Sequence, residues 1–538
     1  MTKKNQEQAP PEANLETLFR IFTIPESESS TLGQVERKIS ENLLGFLREH
    51  IVTFEMSPSE LEKQFSETEV PEDPIFVSDQ ADFLMNKVVA QSVHTAAPSF
   101  LGHMTSAMPY FMLPLAKIMI ALNQNLVKIE TSKAFTPLER QVIGIIHRLI
   151  YEREDRFYSA KTHNPGCALG AFCSDGTIAN ITALWVALNK LLGPTETFDG
   201  VGQEGIFEAL KEHKLEGLAV LVSERGHYSL QKAANLLGIG KRNLIKLPLD
   251  ESGKMSIPKL RETIKNLRNR KIGIVAAIGI AGTTETGHVD PLDEMGEVCE
   301  SEGIFYHVDA AWGGPTLFSN KYKHLLKGIE KADSVTLDAH KQLYVPVGAG
   351  MVLFQDETAL NLIEHSAQYI IRRGSRDIGR RTLEGSRPGM AMLVHSGLKI
   401  IGRKGYELLI NLGIEKAQLF AQKIKDMEDF ELITEPELNL LTYRYIPKPL
   451  RAQLDEGLKE QTKFVNDVLN KLTVKMQKQQ REDGKSFVSR TAIRVPKYDN
   501  QLINVFRVVL ANPLTQEENL DRVLQEQKEI GERMYESI

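Results

Sequence analysis

From Leu138 onward, short runs that are apolar at nearly every position alternate with stretches of helical periodicity. The runs are "GLAVLVSE", "RNLIKLPL", "IGIVAAIGIAG", "GIFYHVDAA", "DSVTLDAH" and "AGMVLFQ", with segments such as "SLQKAANLLGIG" and "LDEMGEVCESEG" between them. A strand with one face in water alternates polar and apolar residues, so a continuous apolar run belongs to a strand covered on both sides. Strands of that kind separated by helices predict an α/β fold, with a mostly parallel central sheet and helices on both faces.

A chain of 538 residues is too long for one core. Three parts are expected: a helical N-terminal segment over 1–110, a large α/β domain over 111–400 and a small α+β domain over 401–538. The first dozen residues are polar and proline-bearing and read as disordered. Helical spacing follows, as in "QVERKISENLLGFLREHI", where Val35, Ile39, Leu43, Leu44 and Leu47 share a face. "HTAAPSFLGHM" breaks that pattern into a loop. Near the C-terminus, Thr515 precedes Glu518 by the spacing of a capping box, which predicts a helix start.

A net charge of −6 and a pI near 6.2 leave no broad basic footprint for nucleic acid or an anionic membrane. The longest apolar stretch, "YFMLPLAKIMIAL", is too short for a bilayer and is broken by Pro114 and Lys117. No apolar signal core or Arg-rich presequence opens the chain, so a cytoplasmic location is expected. Three cysteines, Cys167, Cys173 and Cys299, provide neither a disulfide framework nor zinc-ligand spacing.

Ligands of parallel sheets collect beyond the carboxyl ends of the strands. There the runs deliver Arg225, Gly226, His227 and Tyr228; Thr283 and Thr284; Asp309, Ala311 and Trp312; and His340 with Lys341. Upstream, "GAFC" passes through Ser174, Asp175, Gly176 and Thr177 into a helix, and free N–H groups at a helix start suit a phosphate. Each feature alone has an ordinary explanation: a cap, a surface pair, a satisfied core histidine. The histidines at 227, 307 and 340 lack metal-ligand spacing, so no metal is expected. Together the features match the needs of pyridoxal 5′-phosphate. Lys341 would form the Schiff base, Asp309 would pair with the pyridine nitrogen, His227 would stack on one ring face and small Ala311 would leave room at the other.

"FCSDGTIAN", "ERGHYSLQKAANLLGIG", "HVDAAWGG", "DAHK" about thirty residues later, and "FRVVLANP" occur in that order. This series closely resembles the group II pyridoxal-phosphate-dependent amino acid decarboxylases over roughly Pro98 to Leu524. Within them the chain is most similar to the bacterial aspartate 1-decarboxylases that supply β-alanine for pantothenate. The resemblance implies a fold-type I homodimer with active sites at the subunit interface. It gives Lys341, Asp309, Ala311 and His227 the roles above and makes 174–177 the phosphate turn, with Thr284 and His340 also in the cofactor set. It also implies substrate-binding roles for His103, in "PSFLGHM", and for Arg507, and Tyr369 is expected beside the substrate.

Two departures stand out. Asp175 replaces a glycine common in the family. The loop "IRRGSRDIGRRT" lacks the tyrosine that returns a proton to the α-carbon in many members, so Tyr369, His227 and water are all open as the donor. The five arginines of that loop are read either as a solvated basic surface or as a lid that attracts a dicarboxylate. The expected reaction is decarboxylation of a small acidic L-amino acid. Aspartate comes first, glutamate or cysteine sulfinate are alternatives, and a transaminase or oxidative deaminase is more distant.

Overall fold

The structure, a computed structural model, describes residues 33–34, 36–37, 58–367, 374–455 and 459–535. The expected N-terminal disorder, most of the 34–51 helix and Tyr369 lie outside the described residues. The described chain divides into two compact units. One comprises Gly102–Thr473 with Ser489–Pro513; the other comprises the residues up to Leu101, Val474–Val488 and those from Leu514 on.

The first unit is built on a seven-stranded sheet. Its strands are β1 (Gly170–Cys173), β2 (Gly217–Ser223), β3 (Leu244–Leu247), β4 (Ile272–Ile280), β5 (Tyr306–Asp309), β6 (Ser334–Asp338) and β7 (Gly350–Phe354). They lie in the order β1-β7-β6-β5-β4-β2-β3. The pairs β3/β2, β2/β4, β4/β5 and β5/β6 are parallel, and only β7 runs against both of its neighbours. The six apolar runs become β2 to β7, and "GAFC" becomes β1.

Residues of alternate parity enter two separate cores. Leu221, Ala277, Val308, Leu337, Met351 and Leu353 join one, whereas Val220, Val222, Ile278, Val352 and Phe354 join the other. The helix Gly176–Leu191 covers the second face with Ala179, Ala183, Leu184 and Ala187. Two-sided burial is the physical reason the runs carry no polar alternation.

The same unit holds a four-stranded antiparallel sheet of β8 (Phe430–Thr434), β9 (Leu440–Tyr445), β10 (Ser489–Val495) and β11 (Gln501–Val509), in the order β10-β11-β9-β8. In the second unit the C-terminal helix begins at Glu517. The expected capping box does not form: Thr515 donates its hydroxyl proton to the Pro98 carbonyl at 2.7 Å. Asn519 instead accepts from the Gln516 N–H at 2.7 Å.

Of the arginine loop 371–382, expected as a solvated surface or a lid, residues 374–382 are described and are pinned at Arg380 and Arg381. Arg380 and Arg381 are buried and ion-paired with Glu364. Arg387 and Glu139, both buried, form a two-point pair at 2.6 and 2.5 Å. The reason is a sequence-distant carboxylate for each guanidinium, which a local charge count does not register. Removing one partner of such a pair leaves an uncompensated buried charge and costs about 3–5 kcal/mol. Arg387→Leu should therefore lower the unfolding free energy by about that amount in a denaturant titration, and Glu139→Leu added to it should recover part of the loss. No loss in the single variant would show that Glu139 finds another partner.

Candidate active site

The carboxyl ends of β1, β2, β4, β5 and β6 meet around one cleft of about 200 Å³. β1 delivers Asp175, Gly176 and Thr177; β2 delivers Arg225, His227 and Tyr228; β4 delivers Gly282 and Thr284. From β5 come Asp309, Ala311 and Trp312, and from β6 come Asp338, His340 and Lys341. β1 can contribute because it pairs with antiparallel β7, which restores its direction to that of β6.

Lys341 Nζ lies 3.0 Å from Asp338 Oδ2. Asp338 is 3% exposed, and its Oδ1 has no hydrogen-bond partner. Burial raises its carboxyl pKa, against the opposing charges of Lys341 and His340. The His340 ring donates from Nδ1 to the Ala349 carbonyl at 3.1 Å, which turns Nε2 toward Asp338 at 3.8 Å. The Ala349 carbonyl also accepts from the N–H groups of Ala339 and His340 at 2.9 and 3.2 Å, so the backbone just before Lys341 is clamped.

Asp309 is held at both oxygens. The Ala311 N–H donates to Oδ1 at 3.2 Å and Asn180 Nδ2 donates to Oδ2 at 2.9 Å. Asn180 reaches further: its Oδ1 accepts from His307 Nε2 at 3.0 Å, and its Nδ2 also approaches Ser229 Oγ at 3.1 Å. His307 Nδ1 then accepts a hydrogen bond from the Ser334 hydroxyl at 2.8 Å. Burial lowers the His307 pKa to about 4, which suits the neutral ring this pattern requires. Ser229 binds Nδ1 of His227 through its hydroxyl at 2.8 Å and its N–H at 3.3 Å. Burial lowers the His227 pKa too, with Asp309 opposing and Lys341 reinforcing the shift. Neutral His227 thus carries its proton on Nε2.

At the turn 174–177, expected to hold phosphate, Asp175 Oδ1 accepts from the Ile178 N–H at 2.9 Å and caps the helix Gly176–Leu191. Ser174 is not among the residues lining the cleft, and its N–H donates to Glu384 Oε2 at 2.9 Å. Two glycines allow the close packing here. A Cβ on Gly176 would lie 2.8 Å from Asp338 Oδ2, and one on Gly350 would lie 2.6 Å from the Asp175 carbonyl carbon.

Neither His103 nor Arg507 lines the cleft. His103 is exposed. Arg507 is buried on β11 and donates from Nε to the Thr284 carbonyl at 2.6 Å and from Nη1 to the Gly102 carbonyl at 3.2 Å. Burial lowers its pKa to about 10, with Glu285 opposing. The structure thus ties Arg507 to the loop that carries Thr284. Two residues without a sequence-based role, Asn180 and Asp338, enter the cleft. Their signals were positional: Asn180 lies one helical turn beyond Gly176, and Asp338 heads "DAHK" three residues before the lysine.

Residues 58–446 match the pyridoxal-dependent decarboxylase conserved domain. The aspartate 1-decarboxylase of Aliivibrio fischeri is 57% identical over 97% of this chain and 95% of its own length. The acidic amino acid decarboxylase GADL1 of Xenopus tropicalis is 30% identical over 83% of this chain and 82% of its own length. Among solved structures, mouse CSAD superposes with a TM-score of 0.81 at 24% identity, covering 93% of this chain and 98% of that one. Oryza sativa TDC with PLP and tryptamine gives 0.79 at 17% identity, covering 95% and 99%.

The chain belongs to the pyridoxal-dependent decarboxylase family. It is a carboxy-lyase with pyridoxal phosphate as cofactor and the type I fold of such enzymes. The cleft suits that group: it offers a lysine, a doubly held carboxylate, a helix start made close by glycine, and an orphaned buried oxygen on Asp338.

A hydrogen bond to a charged group contributes about 1.5–3 kcal/mol. Asn180→Leu, which strips Asp309 Oδ2 of its donor, should weaken cofactor binding by about one to two powers of ten. The check is a spectrophotometric titration of cofactor-free protein. An unchanged Kd would mean that Asp309 keeps its position and charge without Asn180.

Proposed function

We propose that the protein converts L-aspartate to β-alanine and CO2, supplying β-alanine for pantothenate synthesis. The observation that carries this reading is the near-full-length 57% identity to the Aliivibrio fischeri aspartate 1-decarboxylase. Decarboxylation of glutamate or cysteine sulfinate is the second reading, favoured by the similarity to acidic amino acid decarboxylases.

Bound pyridoxal phosphate supplies an electron-poor ring that accepts the electron pair released with CO2. Lys341 provides the amine that carries the cofactor, held near Asp338 on a clamped backbone. Asp309, held in orientation by Asn180 and Ala311, would pair with the ring nitrogen and keep its proton. His227 would pack on one ring face and Ala311 would leave space at the other. The N–H groups of Gly176 and Thr177, with Thr284 and His340 nearby, would hold the phosphate, and Asp175 is occupied with the cap. The residues work mainly by orientation: the bond to the departing carboxylate must stand perpendicular to the ring.

The enzyme acts as a cytoplasmic homodimer in this reading. Among the described residues no helix is long and apolar enough to cross a membrane. The helix Met112–Leu122 leaves Ile118, Ile120 and Leu122 exposed, at 48, 70 and 51%, with Tyr110 beside it, an apolar patch suited to a second copy.

The test is to incubate cofactor-loaded protein separately with aspartate, glutamate and cysteine sulfinate and to identify the amines. β-Alanine should dominate, and Lys341→Ala should abolish it. Dominant γ-aminobutyrate or hypotaurine would reassign the substrate within the same chemistry, and keto acid without CO2 would overturn decarboxylation.

A further inference from the structure

We infer that Arg225 reads the side-chain carboxylate of the substrate and sets the preference for an acidic amino acid. This rests on the reading of the cleft as an acidic amino acid decarboxylase site. The charged residues lining it are Asp175, Asp309, Asp338, Lys341 and Arg225, together with the two histidines. Asp175 caps a helix, Asp309 is doubly held and Lys341 sits against Asp338. A doubly charged cofactor phosphate adds to this excess of negative charge, and a dicarboxylate entering it is repelled unless a cation is kept for it. Arg225 is the lining cation that remains.

Its backbone is fixed while its guanidinium is not. Gly226 N–H donates to the Ser223 carbonyl at 2.9 Å, closing a turn around Arg225, and Glu224 N–H donates to the Leu247 carbonyl at 2.9 Å. Gly226 packs so tightly that a Cβ there would lie 2.6 Å from Val222 Cγ2. Among the described residues, however, the Arg225 side chain makes no hydrogen bond and no ion pair within 4.0 Å. Glu285 is close enough to favour the charged forms of both Arg225 and Arg507, yet its buried Oε2 has no hydrogen-bond partner. A half-buried guanidinium on a rigid turn, with its donors unspent, is preorganised for two-point binding of a carboxylate. Arg507 differs: Nε and Nη1 donate to the Thr284 and Gly102 carbonyls, Nη1 also reaches Ser489 Oγ, and the residue lies outside the lining.

The experiment measures the affinity of cofactor-loaded protein for succinate and for butyrate, which differ by a terminal carboxylate against a methyl group. The parent should prefer succinate by about tenfold or more, as expected for a charge-assisted pair in a desolvated site. Arg225→Met should abolish that preference while leaving butyrate affinity, cofactor absorbance per subunit and thermal unfolding unchanged, and Arg225→Lys should restore part of it. The assignment is overturned if the parent shows no preference, if Arg225→Met keeps it, if both ligands weaken equally, or if Arg507→Met removes it instead. Product analysis of the parent separates the two levels. Absence of any acidic amino acid decarboxylation removes the functional reading, whereas activity with a preference that survives Arg225→Met removes only this assignment.

Discussion

The organisation of the active site depends on burying the central sheet on both faces. Strands covered on each side have no room for charged side chains along their length, so polar chemistry is confined to their ends. Five strands terminate at one edge, and each contributes residues to the same cleft. The reversed direction of β7 belongs to the same arrangement. It lets β1 deliver a helix start at that edge and brings Gly350 against the Asp175 backbone.

The polar groups that do lie beneath the cleft are paired in sequence. Ser334, His307, Asn180 and Asp309 form one chain of hydrogen bonds, and Ser229 extends it to His227. Within this chain each linking donor finds an acceptor, which avoids the cost of an unmet buried polar group. The Asp309 carboxylate and the His227 imidazole are therefore oriented through one shared amide, Asn180.

The sheet was legible because burial writes itself into local composition, and all six apolar runs form strands. That Lys341, Asp309 and His227 share one cleft was legible because they stand where strands end. What escaped were interactions between residues far apart in the chain. The pair between Arg387 and Glu139 spans 248 positions, and the donors of Arg507 reach Thr284 and Gly102, 223 and 405 positions away. Thr515 matched a local capping rule, yet its hydroxyl found the Pro98 carbonyl, 417 positions distant. Asp338 and Asn180 were hidden for another reason: a carboxylate before a lysine and an amide in a helix are commonplace until folding sets them in one cleft.

The Ala349 carbonyl, with three donors converging on it, bears on how turnover can proceed. In the proposed role, the Lys341 amine would exchange between cofactor-bound and free states in each cycle. With the preceding backbone stapled down, that exchange falls to rotation about the bonds of its own aliphatic stem, a motion of picoseconds to nanoseconds in unhindered side chains. The lysine behaves like an oar in a fixed rowlock: the stroke repeats each cycle and the hull need not flex.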